Sequence, residues 1–522
     1  MRFAPDLPPI ADSPIVTITL GVLAFIALAV VCFDLAQRKH AILRNFPIMG
    51  HFRYLLESVG PEFRQYIVTS NTEERPFSRD QRRWVYASSK LQNNYFGFGS
   101  DNDLESSPNH TIIKHSAFPV RSPHKDEADF DPDYRVPAAK VLGEHRRRAK
   151  AFRPASIVNV SGMSFGSLSG AAVEAVNRGA ALAGCLQNTG EGGLSPHHLH
   201  GGELIVQVGT GYFGCRDLNG QFSLAKLKHL VDAHPQIRAI EIKLSQGAKP
   251  GIGGVLPKQK ITKEIADIRG ISMTSDCVSP AAHSAFHDVS SMLDFVEMIA
   301  DETGLPVGIK SAIGEIGFWT TLARLIATTG RSVDFITVDG GEGGTGAAPL
   351  VFADHVGLPF KVGFSRVQHV FAEHNLHDRI VFIGSGKLGF PESALMAFAL
   401  GCDMINVGRE ALLAIGCIQA LRCHTNKCPT GITTQSRWLS HGLDPDLKSV
   451  RLANYLVTLR KELLALTRAC GAAHPAAVTA SQIEIMDDRF GAATVADLLG
   501  GRGRGLPAAA DNLLRVRRQG AA

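Results

Sequence analysis

From about residue 150, short apolar runs that end in glycine or a polar residue recur with helical stretches between them. No other feature constrains the fold as strongly. The runs are "SIVNVSG" (156–162), "AIEIKLSQG" (239–247), "VGIKSA" (307–312), "FITVDGG" (335–341), "IVFIGSG" (380–386) and "MINVGR" (404–409). Between them lie "SLSGAAVEAVNRGAALAG", "DVSSMLDFVEMIADETG" and "PESALMAFALG". Strands that alternate with helices predict βα units and a parallel sheet.

A parallel sheet either closes into a barrel or stays open and doubly wound. The residues able to do chemistry, Lys243, Lys310, Asp339, Ser385 and Arg409, stand at the ends of different runs. A (β/α)8 TIM-type barrel assembles its site in that way, with phosphate held after the last two strands. Here those positions carry "GSG" (384–386) and "VGR" (407–409). The open alternative draws on the pattern G-x-G-x-x-G at 209–214, 341–346 and 384–389, the last with Glu410 about 20 residues on. Three matches among 52 glycines show how little that pattern selects. The strands upstream already belong to one βα series, so the barrel is the expectation.

Hydrophobic residues make up 45% and charged residues 20%, a globular balance, and a net charge of +5 gives no reason to expect a nucleic-acid partner. One segment stands apart. Residues 14–33, "PIVTITLGVLAFIALAVVCF", carry no charge and as a helix reach about 30 Å, the depth of a bilayer core. A cleaved signal peptide is the rival reading. Against it, Asp6 and Asp12 precede the run, and the small-residue triplet Ala27–Ala29 lies inside it. Arg38, Lys39 and Arg44 follow the run and only Arg2 precedes it, which predicts a single pass through the inner (cytoplasmic) membrane with the remainder in the cytoplasm. The expected order is an anchor over 1–40, an extension over 41–149, the barrel over 150–440 and a helical extension over 441–522 ending in a basic tail. An amphipathic helix is expected at "FRYLLESVGPEFRQYI" (52–67).

"GCIQALRCHTNKCPTG" (416–431) places Cys417, Cys423 and Cys428 in a C-x5-C-x4-C spacing, a third of the chain's nine cysteines. The spacing is not that of a paired zinc site or a thioredoxin-type thiol pair, and a disulfide framework belongs to small secreted chains. Three thiolates suit a metal centre lacking a fourth protein ligand. Elsewhere, Glu191 in "NTGEGGLSP" reads as a solvated turn or a site acid. Lys243, Gln246 and Lys249 in "KLSQGAKPGIGG" read as a basic loop or a cradle for an anion. His197, His198 and His200 lack helical ligand spacing and are expected to form a polar loop.

Taken in order, "NVSGMSFGSLSG", "NTGEGG", "KLSQGAKPGIGG", "GGEGGTGAAPL" and "GCIQALRCHTNKCPTGITTQ" resemble the FMN-binding synthase domain of the glutamate synthase family over roughly residues 150–440. The resemblance implies FMN held by Ser164, Lys243, Lys310, Gly343, Gly344, Gly384 and Gly386. It implies 2-oxoglutarate held by Gln246, Lys249 and Arg269, with Glu191 and Lys249 as catalytic groups. It also implies a [3Fe–4S] cluster on Cys417, Cys423 and Cys428. Where the family has a His-Asp pair before "GGTG", this chain has Gly341 and Glu342.

The implied reaction joins ammonia to 2-oxoglutarate and reduces the resulting imine to L-glutamate. Neither an N-terminal nucleophilic cysteine nor an NAD(P)H domain is recognisable. An external electron donor is therefore expected, a ferredoxin or an NAD(P)H-oxidising protein, with a separate glutaminase as an ammonia source. Two rivals share these residues: an N-alkylglutamate synthase-type enzyme, and a membrane-tethered flavin and iron–sulfur electron carrier.

Overall fold

The computed structural model describes residues 14–499, apart from 38, 96, 101, 105, 106, 129 and 487–490. Arg2, Asp6, Asp12, Arg38 and the basic C-terminal tail lie outside the described residues. The chain divides into two units, 1–80 and 81–522.

In the first unit the apolar run forms one helix, Pro14–Ala36, with the length and composition of a membrane span. Three further helices follow, Ala41–Asn45, Met49–Phe63 and the short π-helix Arg64–Val68, the last two where amphipathic spacing predicts a helix.

The second unit is built on a closed eight-stranded parallel barrel. Its strands are β1 (Val158–Val160), β2 (Gln187–Asn188), β3 (Leu204–Val208), β4 (Ile237–Lys243), β5 (Val307–Ala312), β6 (Phe335–Asp339), β7 (Val381–Ser385) and β8 (Met404–Val407). Ile405 paired with Val158 closes the ring, so no strand edge is left open. Nearly every strand residue is buried, because side chains fill the barrel on one face and meet helices on the other.

The helices follow from local rules. In α1 (Gly170–Ala183), Val173, Val176, Ala180 and Ala183 recur at the spacing of one helical face, and all are buried. Ser169 caps its start by accepting from Ala172 N at 3.2 Å, and Gly184 at φ 63° ends it. In α2 (Val289–Thr303), Asp288 forms a capping box with Ser291. The long α3 (Pro445–Ala469) buries Leu452, Tyr455, Leu456, Leu459 and Leu463 along one stripe, each leucine contributing about 1.5–3 kcal/mol. It lies so close to α1 that a Cβ on Gly179 would stand 2.9 Å from both Leu452 Cβ and Ser449 O. Gly179→Leu would force the two helices apart. The C-terminal part is helical as expected, but it also supplies two strands: Ile483–Met486 pairs with Ala492–Thr494 and, antiparallel, with Thr111–Ile113.

Candidate active site

The strands hand their last residues to one end of the barrel, and the predicted site residues gather there. Beneath them Glu241, on β4 and fully buried, accepts from Asn188 Nδ2 (2.7 Å), Gln207 Nε2 (2.6 Å) and Thr337 Oγ1 (2.6 Å). Four strands are thereby joined through one carboxylate, each of its bonds charge-assisted.

Above this floor, Lys243 ends β4 and donates to Glu191 Oε1 at 2.9 Å and to Gln246 Oε1 at 2.6 Å. Burial opposes the charge on Glu191, but Lys243, with Lys249 and Arg269 nearby, holds its carboxyl below the ordinary range. Lys310 on β5 pairs with Asp339 at the end of β6, 3.4 Å apart. Both are buried, and each outweighs the burial of the other: Lys310 is held above its usual value and Asp339 below. Asp339 also accepts from Gly247 N at 2.9 Å, which ties the loop after β4 to the end of β6. That approach requires glycine, since a Cβ on Gly247 would stand 1.8 Å from Gly340 O.

Lys249 and Arg269 complete the cationic wall. Lys249 Nζ donates to Ala347 O at 3.0 Å, and burial, helped by Lys243, lowers it to about 8. Arg269 donates through Nη2 to Phe165 O at 3.0 Å and to Ser164 Oγ at 3.4 Å, and lies over the Phe213 ring. Burial lowers it too, and its buried Nε has no hydrogen-bond partner. An orphaned guanidinium N–H in a closed site is a place for a ligand oxygen. Four cations, Lys243, Lys249, Lys310 and Arg269, thus face two acids, Glu191 and Asp339.

Glycines form the adjoining cradle. A Cβ on Gly344 would meet Arg409 Cδ at 2.6 Å, and one on Gly384 would meet Cys402 Sγ at 2.9 Å. Gly386, at φ 123°, faces Gly340 N. Arg409 donates to Glu342 O and draws the Gly343–Gly344 loop toward the start of its own helix. Such backbone suits a phosphate-bearing group at the end of the last two strands.

The cysteine loop lies against the same region. Asn426 Nδ2 donates to Gln259 O at 2.8 Å, and Gln435 Nε2 to Leu168 O at 2.8 Å. Lys260, buried, donates to Ser167 O at 2.6 Å and Cys423 O at 3.3 Å. Burial lowers Lys260 to about 8 although the nearby thiols favour its charge. On the outer side, Tyr86 OH donates to Cys417 O at 2.7 Å. Among the described residues no three acid, histidine or cysteine side chains converge on a single ion. A cluster asks for less convergence, because each thiolate takes its own iron. The polar groups around the thiols fit one: Gln419 N lies 3.4 Å from Cys417 Sγ and Thr430 Oγ1 3.4 Å from Cys428 Sγ. Thr433 Oγ1, buried and without an ordinary hydrogen bond, stands beside Cys423 and Cys428. Hydrogen bonds of this kind are what cluster sulfurs accept.

Ser164 Oγ accepts from Arg269 and lies against Gly190 and Gly192. The loop of the three histidines is polar and partly buried: His198 meets Ser195 Oγ, and His197 packs on Phe165 and pairs with Glu264. Three residues that position the site escaped the sequence reading. Glu241 had a signal, as an acid with apolar neighbours on both sides within its run. Lys260 had none in "LPKQKITK". His283 had none either; its Nε2 meets Lys243 O at 2.9 Å and its Nδ1 meets Tyr212 OH at 3.1 Å.

Comparison with known proteins points the same way. Residues 123–473 match the family described as the conserved region in glutamate synthase. The glutamate synthase large subunit-like protein YerD of Bacillus subtilis is 38% identical over 501 residues, covering 88% of this chain and 94% of that one. An archaeal glutamate synthase [NADPH] of Methanocaldococcus jannaschii is 35% identical over 316 residues, 60% of this chain and 59% of its own length. The glutamate synthase [NADPH] large chain of Bacillus subtilis is 32% identical, with 20% of its length matched.

Proposed function

Since the chain belongs to the glutamate synthase family through its FMN-binding synthase domain, and is thus an oxidoreductase, we propose that it aminates 2-oxoglutarate reductively to L-glutamate. The observation that carries this is the surplus of cations over acids, with Arg269 Nε unpaired, at the end of the barrel. A dicarboxylate supplies negative charge to that surplus. Lys249 and Arg269 bind its carboxylates and, with Gln246, hold the carbonyl carbon in one orientation. Glu191, kept ionised by Lys243, takes and returns protons as ammonia adds and water leaves. FMN, when bound, would supply hydride chemistry for reduction of the imine. Lys310, Gly343, Gly344, Gly384 and Gly386 would hold it, with Ser164 at its border with the substrate.

Cys417, Cys423 and Cys428 would hold a [3Fe–4S] cluster, which would supply one-electron chemistry, with the electrons coming from an external donor. The helix Pro14–Ala36 anchors the enzyme in the cytoplasmic membrane, with the extensions 41–149 and 441–522 flanking the barrel.

The test supplies chemically reduced protein with 2-oxoglutarate and one nitrogen source at a time, and follows flavin reoxidation. Ammonium should support turnover and glutamine should not. Turnover with methylamine alone would move the assignment to an N-alkylglutamate synthase-type enzyme, and no turnover with any amine would leave an electron carrier. Cys423→Ser should lose iron while retaining flavin; unchanged iron would remove the ligand assignment.

A further inference from the structure

The first unit carries a second apolar surface that the barrel chemistry does not use. On helix Met49–Phe63, the side chains Met49, Phe52, Leu56 and Phe63 follow one another at spacings of three, four and seven. They fall on one face, and each is at least half exposed. Arg53 and Glu57, joined by an ion pair at 2.8 Å, flank that face on the side next to Met49, with Glu57 the farther from it. What fastens this helix in place is Asp34, near the end of the apolar helix Pro14–Ala36. Its carboxylate is fully buried, accepts from Ile48 N at 3.1 Å and meets His51 Nε2 at 3.0 Å. Ile48 is the residue that starts the amphipathic helix, so Asp34 sets a negative charge at that helix's positive end.

We infer that Met49–Phe63 lies in the headgroup zone of a lipid bilayer, its apolar face inserted, docked by Asp34 to the end of the membrane-crossing helix. This rests on the anchor reading above and adds a second, in-plane contact to it. Lipid is favoured over a protein partner by the neighbouring helix. Ile15, Ile18, Leu23, Phe25 and Leu28 of Pro14–Ala36 are all more than half exposed and point in all directions around it. A helix apolar all round needs a medium that surrounds it, which one protein groove does not provide. A one-sided apolar helix tied to its end continues the same boundary. The exposed cations Lys39, Arg44, Arg53 and Arg64 suit an anionic headgroup layer.

The test uses the full chain with Cys32→Ser, reconstituted in phosphatidylcholine–phosphatidylglycerol vesicles. Phe52→Cys and Glu57→Cys variants are treated with a membrane-impermeant thiol reagent, and modification is read by peptide mass at the introduced residue. Residue 52 should react roughly tenfold more slowly than residue 57, and the difference should persist on dilution with lipid. Equal rates in protein that resists alkaline carbonate extraction would overturn the interfacial helix and leave the anchor intact. Complete carbonate extraction would overturn both. Protection of residue 52 that disappears as lipid dilutes the protein would assign the face to a second copy instead.

Discussion

The two ends of the barrel bury the same kinds of charged side chain in opposite proportions. At the N-terminal end, Arg148 meets Asp334 at 3.0 Å, Glu297 at 2.7 Å and Asp301 at 3.4 Å. Asp334 also accepts from Val307 N at 2.8 Å, at the first residue of β5. Beside it Lys140 pairs with Asp403 at 2.8 Å, and Asp403 accepts from Phe382 N. There acids outnumber cations, and backbone N–H groups at the strand starts supply much of the compensation. At the C-terminal end cations outnumber acids, and one guanidinium N–H has no partner. The first arrangement holds strands in register through its ion pairs and backbone contacts, although Asp403 Oδ1 and Arg148 Nη2 find no hydrogen bond in it. The second carries a surplus of positive charge that an anion would balance. Both ends hold unpartnered buried polar atoms, so proportion, rather than the presence of buried charge, separates a structural cluster from a site.

Removing a charge from each end sharpens the contrast. Arg148→Ala leaves Asp334 and Glu297 buried without their main partner, and a broken buried pair costs about 3–5 kcal/mol. Thermal and urea unfolding should register that loss, while the folded fraction binds 2-oxoglutarate with unchanged affinity. Lys249→Ala should do the reverse. It removes one charge-assisted carboxylate contact, about 1.5–3 kcal/mol or roughly tenfold to a hundredfold in affinity, with little change in unfolding. Isothermal titration with 2-oxoglutarate reads it directly. If Lys249→Ala unfolds as readily as Arg148→Ala, the two ends do not differ in kind.

Much of this contrast was hidden in the sequence, for particular reasons. Six of the eight strands read as apolar runs because they are buried on both sides. β2 is two residues long, Gln187 and Asn188, and its polar side chains are spent inside, on Asn177 and Glu241. Nothing periodic marks so short a strand. β3, "LIVQV", was masked by the glycine-rich stretch that follows it. Lys243, Lys310 and Asp339 were visible as charges at strand ends. Glu191, Gln246, Lys249 and Arg269 took their meaning from the motif resemblance, since loop residues carry no period. The N-terminal cluster was invisible, because Arg148 and Asp334 are 186 residues apart and only the closed barrel brings them together.

The smallest expected effect is a pH dependence in which affinity and stability move in opposite directions. Burial lowers Lys249 to about 8 from its ordinary 10.5. Below pH 8 it is charged and available to a carboxylate. Between pH 7 and 9 the charged fraction falls from about nine-tenths to a tenth, so 2-oxoglutarate affinity should fall about tenfold, near 1.4 kcal/mol. The carboxylates of 2-oxoglutarate stay ionised throughout this range. Stability responds with the other sign. Between about 8 and 10.5 the unfolded chain binds the Lys249 proton and the folded chain does not, so this residue makes stability rise with pH. Lys260, also lowered to about 8, adds to that rise but does not touch the carboxylate site. Lys249→Arg keeps its charge at every pH examined. It should flatten the affinity profile and leave only the Lys260 share of the stability slope. An affinity that still falls tenfold in Lys249→Arg would place the titrating group elsewhere in the cationic wall.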